Sequence, residues 1–257
     1  MKKVFTVAAV YDRRQRYGGH RPPLQLSFGF TLLELLVVIG IIAAMSFFLV
    51  SGLTGGGVTA GLQSGQAAVG NLVTAARIKA PATGRKTRLL VNLDPAVPER
   101  FLRYLVLQVA RQGGASPSDW DTLTTVTLPE GIYVVPATLS LAGGLVANPA
   151  DWKRVSDPGA DLVSDLFTNQ TLSASLAGDA APQIWTGVAF TPNGTLATLA
   201  GGPPPKGYLV LVPGARRPPG SYQPGEAPVQ LGSPQAVRGL LLSAYGVPAL
   251  LNDRASF

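Results

Sequence analysis

The sequence predicts an α+β protein in which a long N-terminal helix, transmembrane and then amphipathic, packs on an antiparallel β-sheet domain. Three observations predict it. An uninterrupted apolar run follows a basic leader, a helical apolar stripe continues that run, and beyond residue 80 the pattern turns to short stretches of β-formers punctuated by Gly and Pro.

The totals are consistent with this. The 257 residues are 46% hydrophobic, enough to bury a core. The 30 Gly and 22 Pro call for many turns and argue against a helix bundle. The net charge of +7 would suggest an anionic partner, but it is concentrated at one end. Lys2, Lys3, Arg13, Arg14, Arg16 and Arg21 stand against Asp12 alone in the first 29 residues, which therefore hold five of the seven charges. There is no Cys, and the single histidine, His20, lies in the same leader. A chain without its leader then has neither His nor Cys, which excludes Ser-His-Asp and Cys-His catalysis and the usual zinc sites. No enzyme activity, cofactor or metal site is expected.

Taken in order, the chain divides into a cytoplasmic leader (1–29), an anchor helix (30–50), a hinge with an amphipathic helix (51–80) and a β-rich domain (81–257). The anchor, FTLLELLVVIGIIAAMSFFLV, has one charge, Glu34. As a helix it is roughly 31 Å long, a bilayer's hydrocarbon thickness. The preceding basic cluster would hold the N-terminus in the cytoplasm and place the rest of the chain outside it. A secretory signal would show a shorter apolar stretch followed by a small-residue cleavage site. Here the polar leader comes first and Ser27-Phe28-Gly29 precedes the helix, so a cut after Gly29 keeps the anchor. Glu34 needs a cationic partner, because a carboxylate within an apolar span costs about 2.5 to 3.5 kcal/mol.

Gly52, Gly55, Gly56 and Gly57 predict a kink or melted hinge, at about 1 kcal/mol each relative to Ala. Val58, Leu62, Val69, Leu72, Val73, Ala76 and Ala80 then recur at helical spacing, with Gln63, Gln66, Asn71, Thr74 and Arg77 between them. This helix is expected to end before Pro81 and Gly84 and to lay its apolar stripe on a sheet. Strands are expected at 88–93, 101–109, 122–128, 133–135, 184–190, 207–212 and 237–242. Thr191-Pro192-Asn193-Gly194 reads as a turn closing a hairpin. Residues 136–182 and 213–236 read as surface loops, long enough either to face a partner or to conceal further elements.

The segment Gly29-Phe30-Thr31-Leu32-Leu33-Glu34-Leu35-Leu36-Val37-Val38-Ile39-Gly40-Ile41-Ile42 closely resembles the type IV prepilin signature, or class III signal. The resemblance covers about residues 27–50. It implies a pilin-like fold and cleavage after Gly29 by a prepilin peptidase, which also methylates the new amine of Phe30. It further implies that Glu34 pairs with the Phe30 ammonium of a neighbouring subunit and sets the stagger of a filament. The chain would be a structural subunit of a type IV pilus or a type II secretion pseudopilus. Its partners would be the peptidase, other pilin or pseudopilin subunits and an inner-membrane assembly platform. It would sit in a bacterial inner membrane as a single-pass protein with its C-terminal domain outside the cytoplasm, and in a filament after assembly. The leader is long for this family, and no proline interrupts residues 30–80, unlike many pilins. Asn71-Leu72-Val73-Thr74-Ala75-Ala76-Arg77 with the later Phe190-Thr191-Pro192-Asn193-Gly194 resembles the H-type minor pseudopilin branch.

The remaining candidates carry less. Asp157, Asp161 and Asp165 recur every fourth residue and suggest a calcium site or a solvated acidic face, without EF-hand spacing. Lys206, Arg216 and Arg217 lack interleaved aromatics, so nucleic acid is not the expected partner. Trp120, Trp152 and Trp185 read as a sugar-stacking surface or as ordinary core. An alternative function is a minor pilin whose outer domain captures DNA or a secreted substrate.

Overall fold

The computed structural model of the protein describes residues 31–111, 119–176, 179–202 and 207–257, without the side chains of 44 and 46–56. Among them the order is α1 (Leu32–Thr83), β1 (Thr87–Asn92), β2 (Tyr104–Ala110), β3 (Trp120–Thr127), β4 (Ile132–Val134), β5 (Thr171–Ala174), β6 (Gln183–Phe190), β7 (Leu196–Ala197), β8 (Gly207–Arg216), β9 (Val229–Leu231), β10 (Arg238–Leu242) and β11 (Pro248–Leu251). Short 3-10 turns lie at Pro149–Asp151, Asp165–Phe167 and Arg254–Ser256. The strands form two antiparallel sheets. The first has the order β3-β2-β1-β6-β5 with β7 also on β6, and the second β11-β10-β8-β4 with β9 also on β8. The chain divides into two compact units, Met1–Phe48 and Leu49–Phe257, the second holding both sheets.

Within the second unit, period-2 alternation decides which core each strand residue joins. Leu89 and Val91 of β1, Leu209 and Leu211 of β8, and Ile132 and Val134 of β4 share one core with Leu62, Val69, Leu72, Val73, Ala76 and Ala80 of α1. Their neighbours point the other way. Leu90 and Val106 join Trp185 in a small cluster on the first sheet. Tyr133, Val210 and Val212 join Trp152, Leu162 and Phe257 in a larger cluster on the second.

The expected fold class is corrected. Instead of a long transmembrane-then-amphipathic helix packed on an antiparallel β-sheet domain, the described residues hold eleven strands in two antiparallel sheets, and residues 62–80 of α1 contribute to a core that both sheets share. No helix among the described residues is long and apolar enough to cross a membrane. A single-pass inner-membrane localisation is therefore not supported. The expected glycine hinge is helical as well, since α1 runs without interruption through Gly55, Gly56 and Gly57.

All seven expected strands occur, with ends shifted by a few residues at most positions. The helix passes the expected stop. Pro81 lies in its last turn, and the end is built by Gly84 at φ +65°. The Gly84 N–H donates to the Pro81 carbonyl at 3.2 Å and the Arg85 N–H to that of Ala80 at 3.1 Å, a Schellman closure. Pro81 has no N–H to give the Arg77 carbonyl four residues back. Against that carbonyl sits the Thr191-Pro192-Asn193-Gly194 turn, which joins β6 to β7 as expected.

The long loops conceal structure. They contain β5 and β9, and β8 extends into the second of them. Leu139, Leu145, Leu166 and Phe167 are buried, so much of 136–167 covers core instead of facing solvent. Gln66, placed by its polarity among the outward residues, is only 3% exposed. Its Nε2 donates to the carbonyls of Gly239 at 2.8 Å and Leu251 at 2.9 Å, tying α1 to β10 and β11.

Replacing Gln66 with Leu should cost roughly 2 to 3 kcal/mol, because two buried acceptors lose their donor. A lower urea midpoint at unchanged slope would show this. Gly194→Ala should cost about 1 to 2 kcal/mol by the same measurement. Its φ is +77°, and a Cβ would lie 3.0 Å from the Arg77 carbonyl oxygen.

Candidate functional site

In the first unit the described chain begins at Thr31, whose side chain starts the helix. The Thr31 Oγ1 accepts the Glu34 N–H at 3.1 Å, and the Thr31 carbonyl accepts the Leu35 N–H at 3.1 Å. Thr31-Leu32-Leu33-Glu34 thus has capping-box spacing, with the threonine as cap. Glu34 falls in the first turn, where unsatisfied N–H groups make a negative charge favourable. The residue has a local role in its own helix besides any role between molecules.

Among the described residues, the helix surface around Glu34 is apolar. Leu32 is 81% exposed, and Leu33, Leu36, Ile39, Ile42 and Met45 are all more than half exposed. An ordinary helix on a globular core shows one apolar stripe and one polar face. A contiguous apolar surface marks a place where something else binds. The predicted processing residues Gly29 and Phe30 lie outside the described residues, as do His20 and Lys206.

The other candidates are not brought together. Asp161 pairs with Lys153 at 2.5 Å, and Asp165 pairs with Arg154 at 2.7 Å while also accepting the Tyr208 N–H. Asp157 accepts the Gly159 N–H at 3.0 Å. The three share no helical face, and no group of three potential metal ligands occurs among the described residues. Arg217 is held by Glu226 at 3.3 Å and by the carbonyls of Ala227 and Ser221. Trp152 and Trp185 are buried and Trp120 is not, so no surface of stacked tryptophans exists.

A site that the sequence did not reveal lies on the first sheet, on the face opposite Leu89 and Val91. Arg88 of β1 is 5% exposed, and its Nε donates to Gln108 Oε1 of β2 at 2.7 Å. Its guanidinium carbon lies 4.1 Å from the ring centroid of Trp120 in β3. Gln108 in turn donates from Nε2 to Thr122 Oγ1 at 3.2 Å. Burial lowers the Arg88 pKa to about 10, still charged at neutral pH. The grouping spans three strands, and only Arg88 itself, at an inward position of a strand pattern, could have signalled it.

No family model, curated protein or solved structure matches this chain. The comparisons thus give no support to prepilin, secretion or methylation as descriptions of it, and the resemblance rests on its own residues.

Thr31→Val should remove the cap at a cost of about 1 kcal/mol to the first turn. The Glu34 amide should then exchange with solvent about fivefold faster by hydrogen-exchange NMR.

Proposed function

We propose that this chain is a structural, non-enzymatic subunit of a filament of the type IV pilus or type II secretion pseudopilus kind. It is cut after Gly29 by a prepilin peptidase and assembled through the N-terminal part of α1. The observation that carries the reading is the exposed apolar surface of residues 32–45, interrupted by one carboxylate. Such a surface calls for cover, and the same surface on neighbouring copies supplies it by helix-on-helix packing. The class III signature at 29–42 supports the same reading from sequence, because it places a processing site one residue before Phe30.

Glu34 gives this packing its register. Once apolar helices cover one another, the carboxylate leaves water and needs a cation nearby. The residues 31–50 contain no Lys or Arg, so the cation comes from elsewhere. Cleavage after Gly29 creates one in the amine of Phe30. A pair between Glu34 of one subunit and Phe30 of the next fixes an axial offset that apolar contacts alone leave free to slide. The partners are then the peptidase, other subunits of this kind and an assembly platform.

Co-expression with a prepilin peptidase should yield a chain that begins at Phe30, read by intact mass and N-terminal sequencing. An uncut chain, or a cut elsewhere, sinks the reading. Glu34→Val should still be cut but should lose assembly, with cross-linked multimers falling by about tenfold. Multimers at the normal level in that variant would remove the registry role.

A further inference from the structure

The main paths of the two sheets end in four outer strands, and three of these are short. β5 and β11 have four residues each and β4 has three, and β11 begins with Pro248. β3, the remaining outer strand, has eight residues, Trp120–Thr127, with no Pro, Gly or Lys among them. Its composition is β-branched and aromatic, and residues 121–125 are all exposed. Proteins discourage further strands at a sheet edge by shortness, Lys, Pro or a bulge. β3 has only the bulge, which leaves Leu123 without a register partner in β2 and keeps Thr124–Thr127 regular. Its one charge, Asp121, pairs with Arg111 at 2.7 Å. The outward backbone groups of β3 therefore have no strand beside them among the described residues.

Charge selects what fits this edge. At the C-terminal end of β3, Arg103 donates from Nη2 to the Leu128 carbonyl at 2.8 Å, and its buried Nε has no hydrogen-bond partner among the described residues. Asp121 is opposite Val109 in β2, and alternation through Leu107 and Leu105 puts Arg103 on the same side of the sheet. The edge thus carries a carboxylate toward one end and a guanidinium at the other, on one face. A second β3 laid antiparallel about a twofold axis at Thr125 sets residue 121 of each copy opposite residue 128 of the other, once the bulge is counted. Each carboxylate then approaches the other copy's guanidinium, and Thr124 of each copy faces Val126 of the other. Parallel pairing in register would instead set Asp121 against Asp121 at about 5 Å, a like-charge contact.

We infer that β3 is a docking edge for β3 of a second copy of this chain, joining the first sheets of the two copies into one. The interface is isologous, so it closes at two copies and does not itself extend a filament. It is independent of filament assembly through α1, since β3 belongs to the second unit. A pairing confined to one strand falls below the roughly 1,200 Å² of a standard interface, so the dimer is weak in solution and has to be trapped.

The chain has no Cys, so an introduced cysteine is its one thiol. Thr125→Cys, at an exposed position on the axis, brings the two Cβ atoms to about 5 Å, near the separation a disulfide needs. Thr127→Cys, also exposed, lies about 14 Å from its own copy, beyond disulfide reach. The full chain is held in mild detergent, which covers residues 32–45, and oxidised with copper phenanthroline, and linked dimer is read on a non-reducing gel. Thr125→Cys should give at least about fivefold more linked dimer than Thr127→Cys. Adding Asp121→Lys to Thr125→Cys should lower that yield by about threefold or more, because the new cation faces Arg103 of the other copy. Asp121 is half exposed, so losing its pair with Arg111 leaves the fold intact. Association through the first unit alone would link positions 125 and 127 equally. Equal yields at the two positions, no linked dimer at 125, or a yield that Asp121→Lys leaves unchanged overturns the inference.

Discussion

The second unit depends on one apolar stripe. Leu62, Val69, Leu72, Val73, Ala76 and Ala80 present to the two sheets a surface that neither sheet could supply to the other unaided. Each sheet brings every second residue of its strands to this core and turns the intervening residues to a smaller cluster of its own. Alternation makes such a three-core arrangement self-consistent, since a one-residue slip in β1 or β8 would exchange the faces completely. Burial of this stripe is non-directional, and the polar contacts fix its position. Gln66 reaches Gly239 and Leu251, Thr87 Oγ1 donates to the Ala76 carbonyl at 2.9 Å, and Arg77 Nε donates to that of Tyr245 at 3.0 Å. These bonds set the rotation and height of the helix, which apolar contact alone would leave loosely defined.

The first unit has the opposite character. Its described side chains show no division into a buried and a polar face, and its stability is local, resting on the helix bonds and on the Thr31 cap. This exposed surface is the one on which the proposed filament packing rests. Glu34 is compatible with both circumstances. As the third residue of the helix it complements the N-terminal N–H groups, and in the proposed filament it would be the one charged side chain of residues 31–50.

Arg88 shows how a sheet can hold a charge in an apolar setting. The guanidinium stacks on Trp120 and shares Nε with Gln108, and Gln108 is itself oriented by Thr122. The arrangement uses three adjacent strands at matched register, Arg88 opposite Gln108 and Gln108 opposite Thr122. A β-bulge beside Leu107 and Gln108 shifts β3 at the same level, so that Trp120 and Thr122 both reach the arginine and its partner. The lowered pKa of Arg88 is the electrostatic consequence of that burial.

The sequence by itself determined whatever depends on short-range periodicity. The helical stripe of 58–80, the alternating runs that became β1, β2, β3, β4, β6, β8 and β10, and the Asn193-Gly194 turn all follow from neighbouring residues competing for one face or one φ. Tertiary structure decided what depends on distant partners. β5, β7, β9 and β11 have two to four residues each and exist because β6, β8 and β10 offer an edge to pair with. The separation into two sheets is set by pairings such as β1 with β6 and β4 with β8, between segments some eighty to a hundred residues apart. Gln66 is inward for the same reason, since its acceptors are 173 and 185 residues away along the chain. A local pattern reports which face a residue prefers, whereas long-range contacts determine which face is covered and by what.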